Sequence, residues 1–77
     1  MIREAIQNLV DRRDLTYREA EMVMEEIISG TATPSQIGAF LAALRMKGET
    51  VDEISALAST LRRYSQRIKP EYKARLL

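Results

Sequence analysis

Thr33-Pro34-Ser35-Gln36-Ile37-Gly38-Ala39-Phe40-Leu41-Ala42-Ala43-Leu44 is the most informative stretch of this chain. Thr33 can cap a helix N-terminus, Pro34 suits the first helical position, and Gln36 completes a capping box with Thr33. The eight residues from Ile37 to Leu44 then carry neither a charge nor a polar side-chain group. Successive helical residues turn by about 100°, so this run is apolar on every side. A helix that is apolar all round is normally buried all round. So short a chain can hardly wrap one of its own helices completely, and something else is expected to cover part of it. Ile37, Phe40, Leu41 and Leu44 are expected to face the chain's own core. The small residues Gly38, Ala39, Ala42 and Ala43 let another helix approach closely and are expected to serve a second contact. The alternative is that both sides pack inside one bundle.

Seventy-seven residues make one domain, near the lower limit of what folds without a disulfide or a metal. There is no cysteine, so disulfides and thiolate metal sites are excluded. There is no histidine, which removes the commonest general base and metal ligand. Twelve Lys and Arg stand against eleven Asp and Glu, so global charge points to neither nucleic acid nor a membrane. No apolar run reaches the roughly 18 residues of a membrane span, and the N-terminus lacks a signal-peptide pattern. The chain therefore reads as soluble, intracellular and cytoplasmic.

Outside the central stretch, the punctuation predicts three more helices. Ile2, Ala5, Ile6, Leu9 and Val10 have the spacing of one buried stripe on a first helix running to about Arg12. Arg12 and Arg13 would sit at its C-terminal end, favoured by the helix dipole, with a phosphate or partner-carboxylate contact as the lesser alternative. Thr16-Tyr17-Arg18-Glu19 is a capping box for a second helix, with Leu15 placed to staple onto Ala20 or Val23. Ala20, Val23, Met24, Ile27 and Ile28 form its inward stripe, and Gly30 stops it. Met22 and Met24 read as gap-filling core or edge residues. Glu19, Glu21, Glu25 and Glu26 are expected on a solvated outer face. The third helix ends at Arg45-Met46-Lys47, with Gly48 as its stop. Thr50-Val51-Asp52-Glu53 is a further capping box, opening a fourth helix that runs to about Ile68. Its predicted inward stripe is Val51, Ile54, Leu57, Ala58, Leu61, Tyr64 and Ile68. Pro70 breaks or restarts it. The expected fold class is all-α, a small bundle of four helices with a possible short fifth turn at the C-terminus.

No constellation supports catalysis. The chain offers no Ser-His or Cys-His pair, no metal-ligand cluster and no Gly-rich phosphate loop after a strand. Catalytic, cofactor-binding and metal-ligating residues are therefore assigned to none. Arg62, Arg63, Arg67, Lys69, Lys73 and Arg75 are half of all the cations. A nucleic-acid-binding module using Arg62, Arg63, Arg67 and Lys69 is the rival reading. A solvated helix end is the simpler account of them, so a nucleic-acid partner is not expected.

The order of residues adds a resemblance. Leu15-Thr16-Tyr17-Arg18-Glu19-Ala20-Glu21, Ile28-Ser29-Gly30, the Thr33 to Leu44 run, and Met46-Lys47-Gly48-Glu49-Thr50 with Asp52-Glu53-Ile54 follow one pattern. It resembles the N-terminal helical domain of the anthranilate phosphoribosyltransferase family, shared more distantly by the pyrimidine nucleoside phosphorylases. The likeness covers residues 1 to about 70. It implies a two-domain enzyme of tryptophan biosynthesis, in which a larger α/β domain binds phosphoribosyl pyrophosphate with magnesium. The helical domain of that family contributes to a homodimer contact and one wall of the interdomain cleft. The sequence stops at Leu77, about where the family's Gly-rich phosphate loop is due, and none of that loop can be mapped here. It is expected to be a domain cut from a longer enzyme or a stand-alone copy, without transferase activity or a cofactor of its own.

On this reading residues 1–69 form the bundle and 70–77 the connection toward an absent α/β domain, with a hinge at Lys69 and Pro70. The expected homodimer contact uses Arg3 and Ile6 of the first helix with Ala39, Ala42, Ala43 and Met46 of the third.

Overall fold

In the computed structural model, which describes residues 1–65, the chain is four helices: α1 (Ile2–Val10), α2 (Tyr17–Ile28), α3 (Pro34–Lys47) and α4 (Val51–Ser65). No strand occurs among the described residues. The expected all-α fold is present. The expected hinge at Lys69 and Pro70, the end of the fourth helix near Ile68 and any fifth turn lie outside the described residues.

The helix starts follow the predicted caps. The Thr16 and Thr33 hydroxyls accept from the Glu19 and Gln36 N–H groups, and those side chains accept from the cap residues' own N–H. Thr50 and Glu53 exchange the same pair of bonds. Each such cap contributes about 1 kcal/mol. Gly30 and Gly48 take φ values of +83° and +96°.

The end of α1 differs from expectation. The helix stops at Val10, and Arg12 takes φ +65°. The Arg12 N–H donates to the Leu9 carbonyl and the Arg13 N–H to the Asn8 carbonyl. This is the left-handed helix stop that glycine usually provides, and an L side chain there costs about 1 kcal/mol.

α1 lies along α3 and α4 along α2, with a smaller contact between α1 and α2. Ile2, Ala5 and Leu9 of α1, Leu15, Ala20 and Val23, Ala32, Phe40 and Leu44 of α3, and Ala56 of α4 form the core. Ile37 packs partly against it, but Leu41, expected inside, is 53% exposed.

α4 is rolled away from its expected orientation. Its buried residues are Glu53, Ala56 and Thr60, while Val51 is 79% and Ile54 53% exposed, with Leu61 similarly open. Leu57 packs only partly against the core. The cause is the Glu53 carboxylate, which is fully buried. One oxygen accepts from the Leu15 N–H at 2.7 Å. The other accepts from the Thr50 N–H at 2.8 Å and the Lys47 ammonium at 3.0 Å. Lys47 Nζ also reaches Asp14 Oδ1 at 2.9 Å and the Gly48 carbonyl at 2.8 Å, so its three protons meet three acceptors. A buried carboxylate is tolerable only with such partners. Leu15 lies on the α1–α2 loop and Lys47 at the end of α3, so Glu53 must face inward and the apolar stripe turns out.

A second correction concerns the α2 carboxylates. Glu21, Glu25 and Glu26 are half-buried. Arg63 of α4 bridges Glu21 at 3.4 Å and Glu25 at 3.2 Å. Glu26 takes the chain's N-terminal ammonium at 3.0 Å. The presumed solvated face is in part a seam to α4 and α1.

Burial pushes the Glu53 carboxyl up, but the Leu15 and Thr50 N–H groups and the Lys47 ammonium outweigh it and hold it below its usual 4.5. Burial pushes Lys47 down, and Asp14 and Glu53 outweigh it and hold it above its usual 10.5. A depressed carboxylate contributes stability that is present above its unfolded value and lost as pH falls through the folded one. Glu53→Gln is expected to lower unfolding free energy by about 3 kcal/mol near neutral pH, since its amide must face donors. In urea titrations the gap between the two proteins is expected to close as pH falls below 4.5.

Candidate functional site

Two apolar surfaces are left open by this packing. The first lies where the end of α1 meets the end of α3. Leu9, Val10, Arg12, Ala43, Met46 and Lys47 line a pocket of about 150 Å³ there. The second is a broader groove bordered by Leu41, Leu44, Ile54, Leu57, Ala58 and Leu61 from α3 and α4, with Met24 and Glu49. Both follow from the sequence locally. α3 is apolar all round, so its buried Phe40 and Leu44 leave apolar residues on either flank. α4 supplies the second groove because Glu53 holds its polar face inward.

The residues expected at the homodimer contact are only partly gathered by the first pocket. Ala43 and Met46 line it, and Met46 is 81% exposed. Ala39 and Ala42 are exposed in the single chain, at helical spacing from Ala43 and Met46. Arg3 is exposed, and Ile6 is half-buried against the core, so neither is a pocket wall. Val10, expected in the core stripe, lies about 100° beyond Leu9 around α1 and falls on the flank. Nothing in the residue type of Arg12 announces its left-handed turn.

Among the described residues, no group of three or more acidic side chains is placed to hold a metal ion. Glu53, Glu21 and Asp14 are each engaged by cations or N–H groups. Arg18 holds the Glu21 carboxyl below its usual 4.5 against the pull of burial, with a further contribution from Arg63. Among the described residues, no buried side-chain polar atom is left without a partner. No helix among the described residues is long and apolar enough to cross a membrane.

Of the basic residues in the rival reading, Arg62 and Arg63 lie at the end of α4. Arg63 spans to Glu21 and Glu25 and lies 5.5 Å from the Tyr64 ring centre. Arg62 is exposed, and Arg67 and Lys69 lie outside the described residues.

The arrangement is that of a small helical-bundle domain with a polar clasp inside and apolar faces outside. Residues 3–65 match the family model described as "Glycosyl transferase family, helical bundle domain", and the chain belongs to that family. Among curated relatives, the anthranilate phosphoribosyltransferase of Chloroflexus aurantiacus is 67% identical over 61 residues, covering 79% of this chain and 18% of that protein. That of Anaeromyxobacter dehalogenans is 56% identical over 69 residues, covering 90% of this chain and 20% of the relative. That of Ruminiclostridium cellulolyticum is 52% identical over 71 residues, covering 92% and 21%. The chain thus spans about a fifth of the length of these relatives.

Titration against duplex DNA at two salt concentrations is expected to show only weak binding, with a shallow salt dependence. Arg63→Met is expected to cost under about 1 kcal/mol in urea unfolding, because the pair it breaks is half in solvent.

Proposed function

We propose that this chain is the helical domain through which a phosphoribosyltransferase acting on anthranilate forms a homodimer and closes one wall of its interdomain cleft. The observation that carries the proposal is the open apolar face at Val10, Ala43 and Met46, in a chain 52–67% identical to proteins named anthranilate phosphoribosyltransferase. The α1–α3 face is the homodimer contact, because the small side chains of Ala39 and Ala42 allow close helix approach beside it. The α3–α4 groove is the surface covered by the larger α/β domain of the same enzyme. That domain supplies the phosphoribosyl pyrophosphate and magnesium chemistry, since no described residue here is placed for it. The chain's own part is to pair, to position and to exclude water from one side of the cleft. By itself it transfers no ribosyl group, and its setting is the cytoplasm, where tryptophan biosynthesis runs.

Sedimentation equilibrium over a range of concentrations is expected to show reversible self-association of the chain. Ala42→Glu is expected to raise the dissociation constant at least about tenfold while changing the unfolding free energy of the dilute chain by about 0.5 kcal/mol or less. The dilute condition matters because a dimer's apparent stability depends on concentration. An assay with anthranilate, phosphoribosyl pyrophosphate and magnesium is expected to give no turnover from the chain alone. A strict monomer, or turnover by the isolated chain, would overturn the proposal.

A further inference from the structure

We infer that the α-amino group of Met1 must be free and charged for α1 to seat against α2, so that acetylation of that group is a destabilising modification of this domain.

The four helices do not all start in the same way. α2, α3 and α4 each follow a threonine whose hydroxyl accepts from an N–H of the first turn. α1 follows Met1, whose side chain makes no capping bond. The leading N–H groups of a helix have no partner within it. Here the acceptor comes from another helix. Glu26 of α2 takes the Met1 ammonium on Oε2 at 3.0 Å and the Ile2 N–H on Oε1 at 3.3 Å. Glu4 takes the same ammonium at 3.2 Å. Both oxygens of one α2 carboxylate thus hold the first two nitrogens of the chain. The rest of the α1–α2 contact is small, so this clasp matters to it.

The terminal nitrogen is fixed in place. The Met1 side chain packs against the core, and the Met1 carbonyl accepts from the Ala5 N–H at 2.9 Å. With side chain and carbonyl both held, tetrahedral geometry at Cα leaves the nitrogen one position. An ammonium at the start of a helix opposes the macrodipole, and acetylating a helix N-terminus ordinarily stabilises it by removing that charge. The two carboxylates reverse the sign here. An acetyl amide is neutral and offers one N–H where the ammonium offered three, so Glu26 would lose its counter-charge.

The modification is transfer of an acetyl group from an acetyl thioester. The N–C bond forms as the C–S bond breaks. Of the two protons the ammonium gives up, one leaves on the thiol and one goes to water. The charged groups that act on the ammonium are Glu26 of α2 and Glu4 of α1, the latter beside Arg3. Glu26 first, then Glu4, holds it above its usual 8.0 against the pull of burial. The stabilisation is thus complete below 8.0 and is lost as pH rises through the higher folded value.

The test is thermal unfolding of the 77-residue chain, synthesised with a free and with an acetylated terminus, in the wild-type sequence and in Glu26→Gln. All four are compared at one dilute concentration. Near neutral pH, acetylation is expected to lower the wild-type melting temperature by about 4 °C and to leave that of Glu26→Gln unchanged or slightly raised. The wild-type difference is expected to shrink as pH rises above 8.0. Glu4→Gln is a second background, at a side chain 72% exposed, in which acetylation is still expected to lower the melting temperature. Acetylation that raises the wild-type melting temperature, or leaves it unmoved, is the ordinary dipole result and overturns the inference. An equal loss with and without the Glu26 carboxylate overturns the clasp. A loss that vanishes in Glu4→Gln assigns the effect to the local pair and overturns the clasp as well.

Discussion

The buried ion pair between Glu53 and Lys47 governs the arrangement of this domain. A carboxylate and an ammonium withdrawn from water cost several kcal/mol each unless every lone pair and proton is met. Here the carboxylate takes two backbone N–H groups as well as the ammonium, and the ammonium takes two further oxygens. Three chain segments are thereby tied at one point: the loop at Asp14 and Leu15, the end of α3, and the first turn of α4. Few other arrangements of these segments satisfy the same groups. The pair contributes specificity to a core that includes Ala5, Ala20, Ala32 and Ala56 among its buried apolar members.

That constraint explains why part of the architecture was legible in the sequence and part was not. Helix limits rest on local chemistry, and Thr16, Thr33, Thr50, Gly30 and Gly48 each act where the residue type predicts. The burial of Phe40 and Leu44 and the openness of Ala39 and Ala42 also follow from the composition of α3. The roll of α4 does not. Periodicity places Val51, Ile54 and Leu61 inside, but it weighs apolar residues alone and takes no account of a glutamate that the distant Leu15 N–H and the Lys47 ammonium draw inward. Glu53 was visible as a cap and invisible as a core residue. Likewise Arg63 looked like a free cation because Glu21 and Glu25 lie about 40 residues away in sequence. At the pocket, Ala43 and Met46 could be found from the small-residue pattern, whereas the left-handed turn at Arg12 could not.

α3 is therefore a wall shared by two surfaces and not a rod enclosed by one bundle. Phe40 and Leu44 fasten it to the core, Leu41 opens onto the α4 groove, and Ala43 with Met46 opens toward the end of α1. An eight-residue run without polarity leaves an apolar surface in every direction around the helix that the core does not fill.

Two unlike adhesive faces on one small body have a consequence for assembly. If the groove of α4 were to take up the α1–α3 patch of a neighbour, the contact would be head-to-tail, and nothing would stop the next copy from joining. Screening either face leaves a body that can join only once, and growth ends at a pair. The outward turn of α4, with its carboxylate inward, is what leaves the second of those faces open.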